Sequence, residues 1–335
     1  MLIVYEGRPG TLVRQDGDTV AIGERSIWID LVNPTDEEER RVEAALGIDI
    51  PTREELAEIE VSSRLYFEDG AHVMTATLTV QLDQPEPTQT HVTFILKGER
   101  VVTIRYADPY SFRMFASRAA RGQLDCANAP AVLLGLLEMI VDRLADLIER
   151  QQGEADALAA AVFDGDRGEV SGRRGRRRRT KRQPKPFEDL LSRIGRQADL
   201  AARVRESLLS LNRLLTYLGH VVADAKGEKA LRARLKTAQR DIGSLSDHVN
   251  ALYNQIVFLL DATLGMISIE QNAIIKFFSV VAVVFMPPTL VASIYGMNFH
   301  NMPELSWPFG YPMALALMVA SAVLPIWFFR RQGWL

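Results

Sequence analysis

A single cysteine, Cys126, stands in 335 residues. That excludes an intrachain disulfide and makes a reducing compartment the simpler setting for the soluble part. Histidine is also scarce, and His72, His91, His220, His248 and His300 are scattered, so no soft-ligand cluster with zinc spacing is present. No glycine-rich phosphate loop follows any strand-like run, and no nucleophile or acid–base constellation stands out, so neither a nucleotide site nor an enzyme is read. Residues 1–6 lack a basic stretch and an apolar run, and a cleavable signal peptide is not expected. The most telling absence is charge: the last 80 residues, 256–335, hold six charged side chains. What precedes them is mixed and charged, the pattern of a soluble body attached to a membrane anchor.

The formal net charge is −3, and the nine cations between Arg173 and Lys185 contribute +9, leaving −12 for everything else. An acidic body suits a protein that gathers cations and argues against general nucleic-acid binding. The basic run holds no aromatics and reads as a solvated loop at a helix-pair tip.

Strand-like runs at 2–5, 26–31, 72–80, 92–96 and 100–105 predict a β-sheet, the last two joined by a turn at Lys97-Gly98-Glu99. Thr35 with Glu38 and Thr52 with Glu55 have the spacing of capping boxes that open helices. Residues 131–163 and 187–222 then read as two long antiparallel helices. From Lys229 the apolar positions step by four and three through Leu231, Leu235, Ala238, Ile242, Leu245, Val249, Leu252, Ile256 and Leu259. A heptad seam of this length predicts bundling with copies of itself or with neighbouring helices; a single long helix lying on its own domain is the plainer alternative.

Residues 277–294 and 306–329 carry no charge and are long enough to span a bilayer. One ionised side chain at mid-bilayer costs about 2.5–3.5 kcal/mol on insertion scales, so its absence matters. Lys276 precedes the first span, Arg330 and Arg331 follow the second, and the loop between them has Glu304 but no Lys or Arg. The positive-inside rule therefore predicts both termini in the cytoplasm of a cell-membrane protein. Trp307, Tyr311, Trp327 and Trp334 fall where interfacial aromatics belong.

Continuing the same stepping gives a stripe: Asp261, Gly265, Ser268, Asn272, Ile275, Ser279, Ala282, Met286, Thr289 and Ser293. Most are small or polar, and such a face must meet protein or water rather than lipid. Close helix packing and a pore lining both explain it; Asn272 and Asp261 favour the pore, which two spans per chain could enclose only in several copies.

At the outer end of this helix stands Tyr295-Gly296-Met297-Asn298-Phe299, followed by Met302-Pro303-Glu304-Leu305. With Ile269-Glu270-Gln271-Asn272 and Met286-Pro287-Pro288-Thr289-Leu290 upstream, this resembles the CorA family of magnesium transporters, closely over 259–335 and more loosely before. The resemblance implies a homopentamer in the bacterial inner membrane, conducting Mg²⁺ and passing Co²⁺ or Ni²⁺, with no organic cofactor. It implies a selectivity filter at Gly296, Met297 and Asn298, with Glu304 at the outer mouth. Asn272, Ile275, Phe278, Ser279, Ala282, Met286, Thr289 and Ser293 would line the pore, and Asp261 would form an acidic ring. Phe278 stands where an aliphatic residue is expected and lies one position off the stripe. Closure by intracellular Mg²⁺ held between subunits is implied too, with Asp83, Asp241 and Asp247 as candidate ligands; the stalk position of the family's sensing aspartate reads Thr237. A zinc transporter of the same superfamily, ZntB-like, and a non-conducting membrane scaffold are the alternatives. The expected fold class is α+β. It comprises a cytoplasmic α/β domain (1–130), a helix pair (131–225, basic tip 165–186) and a stalk helix (226–272). A pore helix (273–295), an external loop (296–310), a second span (311–330) and a cytoplasmic tail (331–335) complete it.

Overall fold

The computed structural model describes residues 1–8, 10–15, 21–58, 64–81, 84, 87–163, 187–223, 229–297, 302–303 and 307–333. The basic run 173–185, Asp83, Asn298, Glu304 and Trp334 lie outside the described residues. The chain divides into two compact units, Met1–Leu260 and Asp261–Leu335.

The first unit is built on strands β1 (Leu2–Arg8), β2 (Thr11–Arg14), β3 (Ser26–Val32), β4 (Leu65–Glu68), β5 (Ala71–Val80), β6 (Thr88–Lys97) and β7 (Arg100–Arg105). They form one sheet in the order β2-β1-β3-β7-β6-β5-β4. Every pairing is antiparallel except β3 with β7, whose parallel register needs the long excursion through the intervening elements. Helices α1 (Asp36–Leu46), α2 (Arg53–Glu58), α3 (Tyr110–Ala120), α4 (Ala129–Phe163) and α5 (Phe187–Ala223) surround it, and α6 (Lys229–Tyr295) begins in this unit.

The sheet is buried on both faces, which is why its central strands read as near-continuous apolar runs. Val4, Ile29, Leu31, Val73, Ile95, Val102 and Ile104 meet Val42 and Leu46 of α1. Their alternate neighbours, among them Trp28, Met74, Leu78 and Phe94, meet α3, α4 and α5 on the other side. Thr35 closes a full capping box on α1: its hydroxyl accepts the Glu38 N–H at 3.4 Å, and its own N–H donates to the Glu38 carboxylate at 3.0 Å. Thr52 and Glu55 do the same at α2. The β4–β5 hairpin turns on Asp69-Gly70, both at positive φ (49° and 74°), the conformation a two-residue turn with right-handed strand twist demands.

β4 pairs β5 only as far as Met74. Beyond it the edge of β5 is capped by α5, where Ser210 and Ser207 accept the N–H groups of Thr77 and Thr79 at 2.9 and 2.8 Å. A helix thus covers an edge that would otherwise invite strand addition.

At the sheet centre, Asp30 on β3 accepts from Thr103 Oγ1 at 2.7 Å and from Arg105 Nε and Nη2 at 3.0 and 2.8 Å. Trp28 Nε1 donates to Thr103 Oγ1 at 2.9 Å, and Tyr5 stacks on Trp28 with ring centroids 4.2 Å apart. Burial pushes the Tyr5 hydroxyl up to about 12, the Asp30 charge adding to it.

The heptad seam of α6 meets its own chain. Leu231, Leu235, Ala238, Ile242 and Val249 share the core of α4 and α5, and Leu252, Ile256 and Leu259 are buried as well. Gln239 Nε2 donates to the Leu215 carbonyl, Arg234 pairs with Glu138 at 2.7 Å, and Gln152 donates to Gln255 at 3.0 Å. Of the two partners expected for this seam, copies of the chain or neighbouring helices, the neighbouring helices α4 and α5 are the ones that share its core.

Cys126 is buried, and burial raises its thiol to about 11, the neighbouring Asp125 contributing. Since thiolate is the reactive form, maleimide at neutral pH is expected to label the native protein at least about tenfold more slowly than the urea-unfolded chain. Equal rates would show the thiol to be open to solvent.

Candidate functional site

The second unit holds the C-terminal part of α6, from Asp261, and α7 (Gly310–Arg331). Both helices contain 18-residue windows of high mean hydropathy, 2.1 and 2.0, with few charges. Large apolar side chains stand open to the surroundings along them: Phe277, Phe285, Leu290, Val319 and Leu324 are all over 60% exposed. So much contiguous apolar surface is stable only against lipid or further protein.

The two helices cover one another along one face each. On α6 the less exposed positions are Val280, Val281, Val284, Pro287, Pro288, Val291 and Tyr295. On α7 they are Gly310, Ala314, Met318, Ser321, Ala322, Pro325 and Phe329. Both sets recur at helical period, and Gly310 and Ala314 are small enough to permit close approach.

The stripe lies on the other side of α6. At 100° per residue, position 282 falls about 200° from 280 and from 284, and 286 and 289 lie about as far from 288 and 291. Asp261, Gly265, Ser268, Asn272, Ser279, Ala282, Thr289 and Ser293 are all exposed in the single chain. So are Ile275, Phe278 and Met286, at 61, 64 and 69%. Among the described residues no helix of the same unit covers this face, although it is the face least suited to lipid.

It carries neutral amide and hydroxyl groups among small and apolar side chains, with the Asp261 carboxylate at its N-terminal end. Thr289 donates its hydroxyl hydrogen to the Phe285 carbonyl at 2.7 Å, which leaves the Oγ1 lone pairs as acceptors. Pro287 and Pro288 have no N–H, so the Val283 and Val284 carbonyls lose their usual i+4 donors although α6 runs on through them. Composition alone does not mark those two backbone acceptors as polar; the proline pair does.

The helix ends at Tyr295, where the Gly296 N–H reaches the Ala292 carbonyl at 2.9 Å and the Met297 N–H reaches Ile294 at 3.3 Å. A Cβ on Gly296 would stand 3.0 Å from the Ala292 carbonyl oxygen, a backbone atom that cannot swing away. The last turn's carbonyls give this end of α6 a negative partial charge. Asn298 follows three residues after Tyr295, outside the described residues, as does Glu304.

The three regulatory candidates fare differently. Asp83 is outside the described residues, while Asp241 and Asp247 are exposed on α6 in the first unit. The Asp142 carboxyl of α4 is raised, by burial first, then by Glu138 and Asp146, with Asp241 adding and Arg118 opposing. Among the described residues no group of three or more His, Cys, Asp or Glu is placed to hold a metal ion. His72 bonds Tyr217 at 3.1 Å and His91 bonds Thr77 at 3.3 Å, each spent on separate structural contacts.

Comparison with known proteins follows the same lines. The family model described as CorA-like Mg²⁺ transporter protein matches residues 23–331. The magnesium transport protein CorA of Pasteurella multocida is 38% identical over 336 residues, covering 100% of both chains. The structure of the CorA magnesium transporter from Methanocaldococcus jannaschii superposes with a TM-score of 0.75 at 18% identity, covering 100% of this chain and 99% of that one. The ZntB cytoplasmic domain from Vibrio parahaemolyticus matches at TM-score 0.56 and 10% identity, over 79% of this chain and 97% of its own. These two structural likenesses speak to the α+β fold alone.

Proposed function

The chain belongs to the CorA family of Mg²⁺ transporter proteins, and from that premise we propose that it is a gated channel carrying Mg²⁺ into the cell, with Co²⁺ or Ni²⁺ as further cargo. The observation that carries this reading is the uncovered polar stripe of α6, opposite the face that meets α7, leading to the Gly296-Met297 turn. Copies of the chain arranged around an axis, five on the family's pattern, would turn that stripe inward and leave the apolar flanks to lipid.

Mg²⁺ holds its water shell tightly, so neutral amide, hydroxyl and carbonyl oxygens suit it: they bind the hydrated ion without trapping it. In this reading Asn298 rings the outer mouth, Glu304 concentrates cations nearby, and Asn272, Thr289, Ser279 and Ser293 continue a polar path. Met286, Phe278 and Ile275 supply apolar constrictions where dewetting can stop flow, Ala282 keeps the bore open between them, and Asp261 gathers cations at the inner end. Intracellular Mg²⁺ would favour the closed state by binding it more tightly than the open one. Of the three candidate ligands Asp241 has the best support, since it belongs to the acidic surroundings of Asp142. The positive flanks Lys276, Arg330 and Arg331 support a cytoplasmic position for both termini.

The test is uptake into proteoliposomes at low internal Mg²⁺, with Mg²⁺, Co²⁺, Ni²⁺ and Zn²⁺ run in parallel. Mg²⁺ flux well above that of protein-free vesicles is the expected result. Zn²⁺ flux without Mg²⁺ flux would transfer the chain to the ZntB-like branch, where His300 beside the outer mouth would be the first residue to test. No divalent flux at all would leave a membrane scaffold.

A further inference from the structure

The second unit interrupts its backbone hydrogen bonding in both helices. In α6, Pro287 and Pro288 bring no N–H, and the Val283 and Val284 carbonyls go without their i+4 donors. In α7, Pro325 does the same to the Ser321 carbonyl. Pro312 opens no such gap, because it stands in the first turn of α7, where N–H groups have no intrahelical acceptor. Each gap sits beside a hydroxyl that bonds back onto its own helix. Thr289 donates to the Phe285 carbonyl at 2.7 Å, and Ser321 donates to the Met318 carbonyl at 2.8 Å. Such back-bonding bends helices, and proline kinks them.

Depth and facing join the two gaps. The uncharged run 277–294 has its middle between residues 285 and 286, and α7 (Gly310–Arg331) has its middle between 320 and 321. The freed carbonyls therefore lie within about one helical turn of mid-span in both helices. They also lie toward the partner helix: Val284, Pro287 and Pro288 on α6, and Ser321 and Pro325 on α7, are among the less exposed positions. Mid-membrane is where an unpaired carbonyl is most costly, since lipid tails offer no donor. Among the described residues on these two faces within a turn of the gaps, only Ser321 carries a side-chain donor, and its hydrogen goes to Met318. Local weakness of this kind persists where the surrounding structure holds it, and it clusters in elements that move.

We propose that the two gaps form one hinge at mid-membrane depth, about which the outer halves of α6 and α7 tilt together. Bending α6 alone would part the faces that cover one another and lose their packing. Bending both helices at one level keeps them in contact. The tilt carries Thr289 and Ser293 relative to Ser279 and Ala282, so the width of the stripe's path changes while its residues stay the same. The hinge rests on the two helices spanning the membrane, and its effect on the stripe rests on the channel reading.

Hydrogen–deuterium exchange of the full-length protein in lipid nanodiscs, read by mass spectrometry over both helices, tests the hinge. Pro287→Ala with Pro288→Ala returns both donors to α6, and Pro325→Ala returns one to α7. Repair of α6 is expected to slow amide exchange in its own middle at least about tenfold, the scale of one restored backbone hydrogen bond. It should also slow exchange over residues 318–325 of the unaltered α7, and Pro325→Ala should do the converse. Pro312→Ala, outside the gaps, should alter neither. Mg²⁺ uptake gives a second signature: stiffening either helix should lower flux about as much as stiffening both, since non-additivity marks coupled parts. Slowing confined to the helix that carries the substitution would overturn the shared hinge. So would parental exchange as slow at the gaps as in the flanking turns, or flux losses that add. A chain that carried no Mg²⁺ in any form would fail the channel reading and leave the exchange result to decide the hinge.

Discussion

Asp30→Ala is expected to cost the protein about 3–5 kcal/mol of stability, the range for removing one partner of a buried ion pair. The figure should lie toward the lower end, because Arg105 keeps its bonds to Asp108 at 2.6 Å and to the Ala107 carbonyl at 2.9 Å. Asp30 and Arg105 are 1 and 5% exposed. Burial opposes the Arg105 charge, but the hydrogen bonds and attraction of Asp30 and Asp108 outweigh it and raise its pKa. Deleting Asp30 leaves a guanidinium half-satisfied in the middle of the sheet, strips Thr103 of its acceptor and loosens the Trp28–Thr103 bond. Thermal melts of the full-length protein followed by circular dichroism would read the loss. The double variant Asp30→Leu with Arg105→Met should recover much of it, because the pair's attraction chiefly offsets its own desolvation. A single variant as stable as the parent would show that the network does not hold β3 to β7.

None of that network was legible in the sequence, since Asp30 and Arg105 stand 75 residues apart and nothing local announces that one will neutralise the other. What local chemistry writes plainly was legible. The capping residues Thr35 and Thr52 open α1 and α2 as read, and β5, β6 and β7 fall where their β-branched runs place them. β2 and β4 were missed because each is four residues long, too short for alternation to show, although Asp69-Gly70 was a hairpin signal in its own right. α3 was missed for a different reason: its apolar residues Phe112, Phe115 and Ala119 follow a strand closely and lack a side-chain cap. The α6 seam marks the limit of periodicity. Spacing identified the buried face and left its partner open between copies of the chain and neighbouring helices, because a heptad reports that a face is covered, not by what. The stripe further along α6 was read as packing or pore lining, with Asn272 and Asp261 favouring the pore, and the less exposed positions from Val280 to Tyr295 lie on the opposite side of the helix.

Asn298→Ala should then be the most damaging single change to transport. Each amide that holds an ion through its water shell contributes about 0.5–1.5 kcal/mol net, a small amount for one chain. In the proposed five-fold ring the substitution removes all of them at once, enough to lower Mg²⁺ occupancy of the mouth, and flux with it, by about a hundredfold or more. The substitution lies three residues past the end of α6 in sequence, so oligomer size and melting temperature should match the parent; this separates a filter defect from misassembly. Asn298→Asp sharpens the argument, since the same shape with a charged oxygen ring should bind divalents more tightly and release them more slowly, replacing conduction by block. Proteoliposome uptake with both variants beside the parent gives the reading. If Asn298→Ala conducts Mg²⁺ at the parental rate, the turn after α6 is not the filter, and the polar positions deeper in the helix, Asn272 and Thr289, inherit that role.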